Sequence, residues 1–109
     1  MPSIERRRMP RCALRVDSWV SMENGRQYGG LVTDLSKSGC RVHSFIPLID
    51  GMPLQLQLRL PGDVAPLRIG RAAVRWTHQA FFGVEFLAIE IDEEQRLHRV
   101  IADFLGSCA

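Results

Sequence analysis

Leu54-Gln55-Leu56-Gln57-Leu58-Arg59-Leu60 alternates apolar and polar residues without a break. Successive side chains of a β-strand point to opposite faces, so this stretch predicts a strand with one buried face and one wet face. Its edges are marked by Gly51-Met52-Pro53 before it and Pro61-Gly62 after it. Such punctuation is typical of turns.

The same reading extends in both directions. Ala13 to Met22 is apolar and β-branched and stops at Asn24-Gly25. That dipeptide favours a two-residue hairpin, because both positions tolerate positive φ. Tyr28 to Asp34 reads as the return strand, Ser36 to Gly39 as a polar turn, and Cys40 to Ser44 as a short strand closed off by Pro47. Leu67 to Trp76 is the next strand, in which Gly70 suggests a bulge or a close backbone approach. Phe82 to Ile89 follows. The period then changes. Asp92 is placed as a helix N-cap, Glu93 and Glu94 suit the positive end of the helix dipole, and Leu97, Val100, Ile101, Phe104 and Leu105 recur at helical spacing up to a stop at Gly106. The expected fold is β-dominated: six short antiparallel strands forming a small closed or nearly closed barrel, with one C-terminal helix at 92–105. Residues 1–10 read as a polar arm bracketed by Pro2 and Pro10, and 11–109 as a single barrel domain.

Composition sets limits on function. The chain has 109 residues, 46% of them hydrophobic and 24% charged, which suits one globular domain. A formal net charge of +2 is too small for a protein that binds nucleic acid through overall charge. Aromatics are sparse (two Trp, one Tyr and five Phe), whereas an oligonucleotide-binding barrel wants them exposed among basic residues on its strands. Cys12, Cys40 and Cys108 are odd in number and far apart, which argues against a disulfide framework or a zinc site and suits a reducing cytoplasm. His43, His78 and His98 have no metal-ligand spacing. No apolar run approaches the ~18 residues of a membrane span, and no secretory signal is visible. No nucleophile-elbow pattern is present, so the chain is not expected to be an enzyme.

Two segments stand out. Glu5-Arg6-Arg7-Arg8-Met9-Pro10-Arg11 is either a solvated charge run or an anion grip, since guanidinium groups offer a planar fork to phosphate oxygens and stack on bases. Pro10 biases Met9 away from helix, so the arm is expected to be extended. Asp34-Leu35-Ser36-Lys37-Ser38-Gly39 is either an ordinary turn or a recognition edge. In the second reading a carboxylate accepts from a guanine, a hydroxyl donates to the ligand, and a glycine admits it close to the backbone.

Taken in order, RxxxR at Arg7 and Arg11 followed by DxSxxG at Asp34, Ser36 and Gly39 resembles the PilZ domain family. Val74-Arg75-Trp76 and Gly83-Val84-Glu85-Phe86 look like that family's later strands, so the resemblance runs from about Glu5 to Leu105. It implies a PilZ-like split barrel of six antiparallel strands that binds cyclic di-GMP (c-di-GMP) on its outer surface. By the same resemblance, Arg7 and Arg11 hold phosphates and guanine edges, Asp34 and Ser36 contact a guanine, and Gly39 leaves room for it. Arg6 occupies the place that goes with an intercalated ligand dimer, Arg8 extends the arginine-rich arm, and Trp76 is an additional candidate. The implied role is a bacterial, cytoplasmic second-messenger receptor. It would change its surface on binding and regulate a protein partner in trans, in motility, biofilm formation or pilus assembly. The alternatives are an adaptor of the same fold that binds a partner without nucleotide, and an oligonucleotide-binding barrel. Neither nucleic-acid binding nor membrane insertion is expected of it, and no metal or cofactor beyond the ligand.

Overall fold

In the computed structural model, residues 12–60, 62 and 65–108 are described. They form β1 (Cys12–Met22), β2 (Gln27–Leu35), β3 (Gly39–His43), β4 (Pro53–Leu58), β5 (Leu67–His78), β6 (Phe81–Ala88) and α1 (Ile91–Cys108). The strands close into a barrel in the order β1-β2-β3-β6-β5-β4, and every pairing is antiparallel. Closure depends on the long β1, which pairs with β2 along one edge and with β4 along the other.

The alternation in β4 works as the sequence predicts. Leu54, Leu56 and Leu58 point inward, and Leu60 stays buried although the strand ends at Leu58. Pro53 starts the strand rather than preceding it, opposite Ala73; a first-residue position tolerates proline's missing N–H. Val16, Val20, Val32, Val42, Leu67, Ile69, Val74, Phe82 and Val84 complete the barrel core. Inside, Ser18 donates its hydroxyl to the Gly30 carbonyl at 2.9 Å. Where β4 faces β5, Gly70 and Arg71 lie opposite Gln55 alone, so the bulge expected at Gly70 is present.

Three details differ from the sequence expectation. At Asn24-Gly25 the Met22 N–H donates to Arg26 O and the Gly25 N–H to Met22 O, giving a longer loop than a two-residue hairpin. Only Gly25 takes a positive φ, +89°, while the Asn24 side chain accepts the Arg26 N–H. A turn followed by a left-handed glycine is the next favoured hairpin solution. Asp92 is not the cap. The helix starts at Ile91, the Glu90 carbonyl accepts the Glu94 N–H, and Asp92, Glu93 and Glu94 all sit in the first turn beside the helix dipole's positive end. Nor does Gly106 end α1, which runs to Cys108. A single glycine costs a helix about 1 kcal/mol relative to alanine, too little to enforce a stop by itself.

Leu97 and Ile101 bury the inner face of α1, which packs on β5 and β1; the side chains of Phe104 and Leu105 lie outside the described ones. Arg96 ties the helix down, donating to Ala65 O at 2.7 Å and pairing with Glu93 at 2.9 Å. The antiparallel order brings the start of β1, the turn between β2 and β3, and the end of β6 leading into α1 to one end of the barrel. Among the described residues no helix is long and apolar enough to cross a membrane.

Candidate functional site

The β2–β3 turn is built around Ser36, which is fully buried. Its N–H and its hydroxyl both donate to Gly39 O, at 2.9 and 3.2 Å, and its Oγ accepts the Ser38 N–H at 3.3 Å. Ser38 O in turn accepts the Phe86 N–H at 2.8 Å, joining the turn to β6. Gly39 faces Glu85 in the ladder. A Cβ there would collide with the carbonyl oxygen of Val84, a backbone atom. Both residues therefore have tasks within the barrel: Ser36 braces the turn, and Gly39 lets β3 approach β6.

Asp34 owes its direction to two bulges. In the β1–β2 ladder, Leu14 and Arg15 lie opposite Thr33 alone; in the β2–β3 ladder, Thr33 has no opposite number between Val42 and Arg41. Val32 and Leu35 both stay in the core, although a regular strand would put residues three apart on opposite faces. The irregularity leaves Thr33 and Asp34 half-buried between them. Bulges re-aim side chains in this way beside functional sites.

Following the ladders outward from Asp34 gives a continuous row across five strands: Ala13, Asp34, Arg41, Gly83 and Trp76. Trp76 is 42% exposed, and its indole lies over Gly83, where any Cβ would meet it. At about 4.8 Å per strand, Trp76 and Asp34 are roughly 14 Å apart along the sheet, with Arg41 between them. Trp76 and Asp34 therefore belong to one outer face.

Arg41 is a residue that the sequence motifs do not single out. Its Nε donates to Thr33 Oγ1 at 3.0 Å, and its guanidinium carbon stands 5.4 Å from the centre of the Phe81 ring. Ala13, Leu14, Arg15, Thr33, Arg41 and Phe81 line an open groove of about 420 Å3. The available signal was the alternation Cys40-Arg41-Val42, which turns Arg41 outward while its neighbours are buried. Phe81 belongs to this outer surface with His43 (ring centres 4.8 Å apart), whereas Phe82 is in the core. Next to the row, Arg75 pairs with Glu85 at 2.6 Å, with both side chains about half exposed.

Arg6, Arg7, Arg8 and Arg11 lie outside the described residues. Arg11 immediately precedes Cys12, which pairs with Leu35, the residue before Ser36. The chain neighbour of Arg11 thus lies at the end of the β1–β2 ladder that leads into the DxSxxG element.

The family model described as the PilZ domain matches residues 5–103. No curated protein sequence matches significantly. Among solved structures, the PilZ domain of Escherichia coli YcgR with c-di-GMP superposes with a TM-score of 0.73 at 16% identity, covering 94% of each chain. The PilZ domain of CeSA from a cellulose-synthesizing bacterium gives 0.68 at 19% identity, covering 92% of this chain and 99% of that one. Bacillus subtilis MotI/DgrA, an inhibitor of motility, gives 0.73 at 21% identity over 90% of this chain. This chain spans only about half of MotI/DgrA, 51%. At these identities the superpositions speak for the fold.

Proposed function

The chain belongs to the PilZ domain family, and from that premise we propose that it is a c-di-GMP receptor. In this reading residues 1–10 form an arginine-rich arm and 11–109 the barrel domain. Arg7 and Arg11 grip phosphates and guanine edges, and Asp34 accepts from a guanine. Ser36 and Gly39 shape the edge on which that guanine rests. Arg6 and Arg8 extend the grip to an intercalated ligand dimer, and Trp76 offers a further stacking surface.

One observation carries the proposal: an outward carboxylate, Asp34, stands on a bulged strand beside the point where the arm joins β1. Guanidinium–phosphate hydrogen bonds contribute roughly 1.5–3 kcal/mol each, so a few suffice to order an arm. Because α1 lies at the same end of the barrel, ordering of the arm would alter the surface that this end offers. The output is then regulation of a protein partner in trans, in the cytoplasm, in motility, biofilm or pilus control. No step in this role needs catalysis.

Calorimetric titration with c-di-GMP, with GTP and cyclic di-AMP as controls, tests the reading. About micromolar, selective binding is expected, with two nucleotides per chain for the dimer. Arg11→Ala should weaken binding at least tenfold without lowering the melting temperature. Absence of saturable heat, or parental affinity in Arg11→Ala, overturns the proposal.

A further inference from the structure

Arg41 is held in place by the barrel itself. The acceptor for its Nε is Thr33, a residue turned outward by the β2 bulge. Its guanidinium is supported by the Phe81 ring. An arginine carries five N–H donors in a rigid fork, and the Thr33 bond uses only one of them. Among the described residues Arg41 forms no ion pair, in contrast to Arg75 with Glu85 and Arg96 with Glu93. It is an exposed cation, fixed at one end, beside Asp34 in the ladder and on the rim of the open groove.

We infer that Arg41 is a phosphate contact of the bound cyclic dinucleotide, supplied by the barrel wall, and that Thr33 is its positioning residue. The inference rests on the c-di-GMP reading above and adds to it a residue outside both motifs. A phosphate is the group that fits. Its oxygens match the remaining fork of donors, and its negative charge suits a cation that forms no ion pair among the described residues. Because the Thr33 bond and the Phe81 ring already restrict the side chain, less conformational freedom is lost on binding than for an unrestrained arginine. A ligand with two phosphates can then make this contact and a second one elsewhere in the site. A guanine mononucleotide satisfies only one of them.

The test compares parent, Arg41→Ala, Arg41→Lys, Thr33→Val and the Thr33→Val/Arg41→Ala double variant, by calorimetric titration with c-di-GMP and with GMP, alongside thermal melting. Arg41→Ala should bind c-di-GMP at least tenfold more weakly and keep the parental melting temperature within a few degrees. Arg41→Lys keeps the charge but loses the fork, and should fall between parent and Arg41→Ala. Thr33→Val should weaken binding severalfold in the parent and not at all in the Arg41→Ala background, because a residue acting only through Arg41 has no effect without it. The preference for c-di-GMP over GMP should shrink in Arg41→Ala. If the parent binds c-di-GMP and Arg41→Ala binds within twofold of it, the assignment of Arg41 falls while the receptor reading stands. If Thr33→Val weakens both backgrounds equally, its positioning role falls. If the parent does not bind c-di-GMP, both readings fall together.

Discussion

Replacing Gly39 by alanine should unfold the barrel at a much lower temperature, whether or not a ligand is present. The backbone conformation is not the obstacle: positive φ occurs at Gly25, Gly51 and Gly62, not at Gly39. The obstacle is space. An added Cβ meets the Val84 carbonyl oxygen, with Val84 C at 3.3 Å and Glu85 Cα at 3.5 Å behind it. All three are backbone atoms of a paired strand, so relief requires β3 to move away from β6. Overpacking of this kind costs about 1–3 kcal/mol. The displacement also loosens the bond from Phe86 N–H to Ser38 O, now 2.8 Å, which is worth about 1 kcal/mol. A total of about 2–4 kcal/mol corresponds to a fall in melting temperature of roughly 10–25 °C for a domain of this size. Circular dichroism melting of the ligand-free protein is the assay. Gly83→Ala is the control, because its Cβ would also collide, but with the Trp76 indole, a side chain that can swing into solvent. It should cost less than half as much and red-shift the tryptophan emission. A Gly39→Ala protein that melts within about 3 °C of the parent, or no lower than Gly83→Ala, refutes the argument.

Ser36→Ala removes a buried hydroxyl that donates to Gly39 O and accepts from Ser38 N–H, so a loss of about 1–2 kcal/mol is expected by urea denaturation, and an unchanged midpoint would show that the turn holds without it. Glu85→Gln breaks the Arg75 ion pair, whose members are 51% and 48% exposed, and should cost no more than about 1 kcal/mol; a larger loss by the same measurement would mean that the pair fastens β5 to β6.

The barrel was legible where the signal is local. Alternation in Leu54–Leu60 depends only on the chain's own period, and the strand appears with the predicted face inward. Gly70 marked a bulge because a glycine inside a strand pattern often signals one. The bulges around Thr33 had no such marker. Their trace was the three-residue spacing of two core residues, Val32 and Leu35, in an otherwise two-residue pattern. Closure of β1 on β4, which sets Trp19 opposite Gln57, is a pairing between distant segments that neither segment announces. Arg41 went unnoticed for a related reason: its place in the row depends on the registers of four ladders, while the motifs are read along one chain.

These geometries change what the DxSxxG element says about binding. Ser36 is buried with its hydroxyl engaged inside the turn, and Gly39 is required by the approach of β3 to β6. A barrel with this turn needs both residues even when it never meets a nucleotide. Their presence therefore separates a receptor from a nucleotide-free adaptor only weakly. Asp34 is different, because it faces outward on the bulged strand. The discriminating comparison is between variants that spare the fold and variants that break it. Arg11→Ala and Arg41→Ala should lose affinity at constant melting temperature, whereas Gly39→Ala should lose melting temperature in the absence of ligand. A protein in which all three variants fell together in stability would be using this face to hold the barrel rather than to bind.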